Sequence, residues 1–114
     1  MFKIKGNDIY LTRADSAELS VNLRYADGRQ YAIGENDTII FQMRKERSSV
    51  VELSKTFVGT SIVTLEPNDT KDLDFGKYKY EIELVLESGK VYTVIPYADL
   101  FLENEIVITH NCVL

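Results

Sequence analysis

Four groups of residues in this chain carry side chains able to do chemistry. Near the C-terminus, His110-Asn111-Cys112 sets the only histidine close to the only cysteine. A thiol and an imidazole make a nucleophile and its base when a third group orients them inside a cleft. These residues lie within the last five of 114, where chains fray, so the pattern reads as a tail. The acidic corner Asn68, Asp69, Asp72 and Asp74 offers hard oxygens of the kind calcium binds, about six to eight at a time. Its spacing does not match an EF-hand loop, and a solvated helical turn with an Asn or Asp cap accounts for the same residues. Glu81, Glu83 and Glu87 resemble a carboxylate pair in spacing. Beside Lys77 and Lys79 they read instead as wet-face charges in cross-strand pairs. The fourth group is aromatic. Tyr92, Tyr97 and Phe101 gather around Pro96 and cannot all point inward on strict alternation. They form a candidate contact surface, and a bulge that turns them inward accounts for them equally. The glycines stand singly in turns, so no phosphate loop is present, and the residues imply no metal, no cofactor and no catalytic constellation.

The elements that position these groups are organised around Asp74 to Glu87. Tyr78, Tyr80, Ile82, Leu84 and Leu86 occupy every second place, with Lys77, Lys79, Glu81, Glu83 and Val85 between them. A strand sends alternate side chains to opposite faces, so this segment buries one face and wets the other. The motif Asp74-x-Gly76-x-Tyr78 follows a strand-like run, Thr60 to Leu65, and a polar corner. That order matches the tyrosine corner of immunoglobulin-like sandwiches, in which the hydroxyl bonds to backbone a few residues upstream.

Along the rest of the chain, strands are expected at Phe2 to Lys5, Ile9 to Arg13, Ala17 to Tyr25, Gln30 to Ile33, Thr38 to Arg44, Val50 to Phe57, Thr60 to Leu65 and Lys90 to Ile95. In the third of these, Ala17, Leu19, Val21, Leu23 and Tyr25 should face inward. Asp27-Gly28 and Ser88-Gly89 are turn signals. Pro67 to Leu73 suits a single helical turn. Pro96 lacks the amide a ladder needs, so its strand should end or bulge there. Leu100, Leu102, Ile106 and Ile108 should complete a sheet. About seven to nine short strands in a row point to one all-β domain over residues 1–114, an immunoglobulin-like antiparallel β-sandwich.

Composition narrows the function. The chain is 45% hydrophobic and 27% charged, which suits a globular domain. A net charge of −5 argues against nucleic acid, whose binders carry basic stripes. The nearest candidate, Arg44, Lys45 and Arg47, is interrupted by Glu46 and reads as a turn. No apolar run approaches the ~20 residues that span a bilayer, and the first residues lack a signal-peptide core, so a membrane partner is not expected and synthesis in a cytoplasm is. One cysteine permits no internal disulfide, so packing alone must hold the sandwich.

Several blocks together resemble a known family. Ile9-Tyr10-Leu11-Thr12-Arg13-Ala14-Asp15-Ser16-Ala17 is similar to the LTRGDTA opening of small domains encoded in tailed-phage and prophage structural operons. Asp37 to Lys45 resembles their second block, DTITFTVRK. Leu65 to Thr70, Gly76 to Tyr80 and Gly89 to Pro96 continue the likeness in the same order, over roughly Ile9 to Phe101. The chain thus resembles the N-terminal domain of baseplate upper proteins and related immunoglobulin-like tail modules. Ala14 stands where that opening usually has Gly. Antibody-type domains fit less well, since Tyr80 occupies the place of their second cysteine and the chain has no Trp. The resemblance implies a non-catalytic virion structural protein, assembled in the bacterial host cytoplasm and docking to other tail or baseplate proteins, with homo-oligomerisation open. A carbohydrate- or host-surface-binding module is the alternative. For docking, the terminal segments, residues 1–8 and 104–114, are the suspects, because Met1 to Lys5 and Ile106 to Leu114 are apolar beyond the needs of a tail.

Overall fold

The computed structural model describes the backbone of residues 2–103 and the side chains of residues 6–103. Eight strands and one helical turn follow in the order β1 (Phe2–Lys5), β2 (Asp8–Thr12), β3 (Ala17–Ser20), β4 (Thr38–Lys45), β5 (Val51–Val58), β6 (Ile62–Leu65), α1 (Pro67–Thr70), β7 (Gly76–Val85) and β8 (Val91–Glu103). One layer is a six-stranded sheet in the order β1-β2-β8-β7-β4-β5, and the other is the pair β3-β6. The architecture is all-β and sandwich-like.

Alternation decides which faces meet. On β7, Tyr78, Tyr80, Ile82 and Leu84 are all buried, and β4 adds Ile39, Phe41 and Met43. From the facing layer come Ala17, Leu19, Val63 and Leu65. The rings of Phe41 and Tyr80 stack with centroids 5.5 Å apart. Both rings belong to the six-stranded sheet, on the neighbouring strands β4 and β7, and their stack lies on its buried, inward face. Burying the Phe41 ring contributes on the order of 2–3 kcal/mol relative to leaving it in water.

Several boundaries differ from the sequence expectation. The sheet is not wholly antiparallel, because β2 runs parallel to β8, Ile9 opposite Leu100 through Thr12 opposite Glu103. A parallel pair needs a long crossover, and here nearly the whole domain supplies it. At Pro96 the strand bulges rather than ends, one of the two outcomes expected there. Tyr80 opposes Ala98 and Ile82 opposes Ile95, so Pro96 and Tyr97 together face Glu81 in a bulge, and β8 continues to Glu103. Leu100 and Leu102 are buried there as expected, whereas Ile106, Ile108 and His110-Asn111-Cys112 lie outside the described residues. The ladder of β3 stops at Ser20. Beyond it, only an isolated bridge joins Arg24 to Gln30, so Gln30 to Ile33 forms no strand. Tyr25, expected inward, is 47% exposed.

The helical turn is set by its own residues. Pro67 supplies the first position, and the Glu66 amide donates to Asp69 Oδ2 at 2.7 Å. Asp69 is not a solvated cap, because its carboxylate also receives Lys55 Nζ at 2.7 Å and is largely covered. The same ammonium donates to the Thr64 carbonyl at 2.6 Å, joining β5 to the edge of the second layer.

Candidate functional site

The tyrosine corner is present. Tyr78 is 1% exposed, and its hydroxyl donates to the Asp74 carbonyl at 2.7 Å. Burial raises the phenol's pKa. Gly76 sits at φ 132, a conformation L side chains rarely adopt, which is why this position needs glycine. The Asp74 carboxylate takes no part in the corner. It pairs with Lys45 Nζ at 2.8 Å, and that bond holds the carboxyl below its usual range. Among the described residues no cluster of three or more His, Cys, Asp or Glu can hold a metal, and Asp69 and Asp74 each face a lysine.

The three aromatic residues of the candidate contact surface do not share one face. Tyr92 opposes Leu84, so it lies on the inward side, beyond the reach of the small second layer. Tyr97 and Phe101 lie on the outer face of the six-stranded sheet. The bulge holds Tyr97 at φ 36 and leaves it 62% exposed, with the Arg44 guanidinium 4.7 Å from its ring. Phe101 stacks on Tyr10, its partner across the parallel pair, at 4.8 Å and 11°. Tyr10 was not legible as a site residue, because its neighbour is fixed by a pairing between the two ends of the domain.

Between these aromatics runs an ionic strip. Lys79 Nζ bonds Asp99 Oδ1 at 2.5 Å, and Lys77 reaches Glu46 at 3.0 Å and Asp99 at 3.7 Å. The Lys79 bond lowers the Asp99 pKa, and the Lys77 bond lowers that of Glu46. These lysines therefore pair with Asp99 and Glu46 rather than with Glu81, Glu83 or Glu87. The outer face combines flat rings with ion pairs of Lys77 and Lys79 to Asp99 and Glu46, a mixture of aromatic and polar groups of the kind found at protein contacts.

A second feature lies at the opposite end of the sandwich. There a cleft of about 600 Å³ opens between the two layers, with Leu84, Leu86 and Val94 on the sheet side and Asn22, Arg24, Tyr25 and Tyr31 on the other. Tyr92 stands at its mouth, 49% exposed. Behind Tyr31 sits Asp37, only 5% exposed. It accepts from the Tyr31 hydroxyl, from the Gly34 amide at 2.8 Å and from the Glu87 amide at 3.2 Å. The Tyr31 bond holds Asp37 below its usual pKa and pushes the phenol up to about 12. This carboxylate fastens the cleft's loop to the β7–β8 hairpin, and sequence reading missed it because its partners lie up to 50 residues away.

No protein-family model matches the chain, and no curated protein matches it.

Proposed function

We propose that this domain is a non-catalytic structural module of a phage or prophage tail or baseplate, working by docking to neighbouring virion proteins. The observation that carries this reading is the outer face of the six-stranded sheet. It presents Tyr97, Phe101 and Tyr10 around a strip of paired charges. A β-bulge aims the most exposed of these rings outward at φ 36, and strained backbone of this kind clusters where a protein makes contacts.

The sequence blocks that carry the family resemblance also support the reading, because they meet in space. Ala14, in the first block, occupies the left-handed region at φ 66, a conformation suited to the glycine usual in the family. Its amide donates to the Thr70 hydroxyl of the Leu65 to Thr70 block at 2.8 Å. Arg13 lies over the Phe75 ring at 4.0 Å and donates to the Leu73 carbonyl at 3.3 Å.

Co-expression with the proteins encoded beside it tests the proposal. The tagged domain should co-purify with one of them, and Tyr97→Ala should abolish that capture while the free domain keeps its melting temperature within a few degrees. Capture that Tyr97→Ala leaves untouched would move the docking surface off this face.

A further inference from the structure

Glu81 and Glu83 carry charge on the outer face that no neighbour balances. Both alternate outward on β7, between the buried Tyr80, Ile82 and Leu84, and both are part-exposed. Glu81 lies between Gln42 of β4 and the β8 bulge that holds Tyr97. Glu83 lies between Ile40 and Thr93. None of these cross-strand neighbours is a cation. The lysines of the same strand are engaged elsewhere, Lys79 by Asp99 at 2.5 Å and Lys77 by Glu46 at 3.0 Å. The Arg44 guanidinium lies over the Tyr97 ring. Among the described residues, neither glutamate has an ion pair.

While the face is open, water satisfies both carboxylates. A protein seated on Tyr97 changes that, because Glu81 stands on the adjacent strand, ~5 Å across the ladder, and Glu83 follows ~7 Å further along. A carboxylate removed from water without a cation beside it is strongly unfavourable. Whatever covers the ring must therefore answer the two charges. We propose that the protein docking on this face presents two Lys or Arg side chains, ~7 Å apart, which seat on Glu81 and Glu83 beside the Tyr97 ring. This gives the chemistry of the partner in the docking reading above, and it rests on that reading. The spacing suits alternate residues of a strand, or residues one turn apart on a helix. The ring supplies contact area, and the paired charges set register and select among candidate proteins. A second copy of this chain does not meet the requirement through the same face, since its Lys77, Lys79 and Arg44 are committed in the same way.

Calorimetric titration of the full chain with the protein it captures, purified from among those encoded beside it, reads the contact at low and at high salt. The wild-type Kd should rise with ionic strength. Glu81→Gln combined with Glu83→Gln keeps the shape and removes both charges. It should weaken binding roughly tenfold and flatten the salt dependence. Because neither glutamate has an ion pair in the fold, this variant should melt within a few degrees of wild type. Glu81→Lys combined with Glu83→Lys should weaken binding further, and reversing the two cations of the captured protein to Glu should restore it. A Gln variant that keeps the wild-type Kd and salt dependence overturns the proposal. If Tyr97→Ala still abolishes that binding, the outer-face docking stands without its basic partner. Binding lost on chelating divalent cations also overturns the proposal, since a metal then bridges the glutamates. A domain that captures none of the proteins encoded beside it ends the docking reading and this inference together.

Discussion

The amide of Ala14 donates to the hydroxyl of Thr70 at 2.8 Å, across 56 positions of sequence. This bond ties the turn that carries the chain from one layer to the other to the helical turn before the tyrosine corner. Thr70 is fully buried, so the bond is shielded from water. Two crossings between the sheets are thereby fixed against each other.

Ala14 holds φ 66 without being glycine. A left-handed Ala costs about 1–2 kcal/mol in sterics, against about 0.5–1 kcal/mol of extra chain entropy lost by Gly on folding. Ala14→Gly should therefore stabilise the domain by ~0.5–1 kcal/mol, read as a rise in melting temperature of a few degrees. Thr70→Val should act in the opposite direction, by about 1–2 kcal/mol, because it leaves the Ala14 amide without its acceptor. A fall in Tm for Ala14→Gly would show that the turn is not strained.

Tyr78 separates the weight of a ring from that of a hydroxyl. Its ring is 1% exposed, whereas the Asp74 it bonds lies in an exposed residue that water can reach. Tyr78→Phe should cost about 1 kcal/mol, and Tyr78→Ala about 3–5 kcal/mol. Urea unfolding of the two variants at constant m-value measures the difference. Equal losses would mean that the hydroxyl, not packing, holds the corner.

Tyr80 is 3% exposed, and burial pushes its phenol up to about 12. Its hydroxyl donates to the Asn7 carbonyl. A pKa higher in the folded than in the unfolded chain gives stability that is complete below pH ~10 and lost as pH rises toward 12. For Tyr80 the loss amounts to on the order of 2–3 kcal/mol once the titration is complete. Tyr80→Phe should flatten the stability curve between pH 10 and 12, by thermal melts at half-unit steps. A slope as steep as wild type's would place the alkaline loss on Tyr31, whose phenol also stands at about 12.

Asp37 works at the other end of the scale. Its pKa is lowered by the bond from Tyr31 and by the amides of Gly34 and Glu87. A depressed carboxylate contributes stability that is present above its unfolded pKa and lost as pH falls through the folded value. Asp37→Asn should therefore be less stable than wild type near neutrality, and the gap should narrow on acidification below pH ~4. A gap that stays constant with pH would show that shape, not charge, matters at this site.

Much of this architecture was legible in the residues. The alternation of β7, its inward tyrosines and the corner at Asp74, Gly76 and Tyr78 are local patterns, and local sterics and burial decide them. What stayed hidden depends on residues far apart in the chain. The parallel partnership of β2 with β8, and with it the Tyr10–Phe101 stack, joins the two ends of the domain. Pro96 was legible as an irregularity, but whether it breaks or bulges a strand depends on what faces it, and here Glu81 accommodates two residues. Tyr25 kept the inward phase yet stands at a cleft mouth, because the two strands that make up the second layer among the described residues do not cover that end.

The measurement that bears most directly on the proposed docking is the molar mass of the domain by light scattering, mixed with the proteins encoded beside it and again with Tyr97→Ala in its place. The account predicts a stoichiometric complex for the wild-type chain and separate components for the variant. Wild-type domain that elutes apart from every one of those proteins, at concentrations up to about 100 μM, would contradict it.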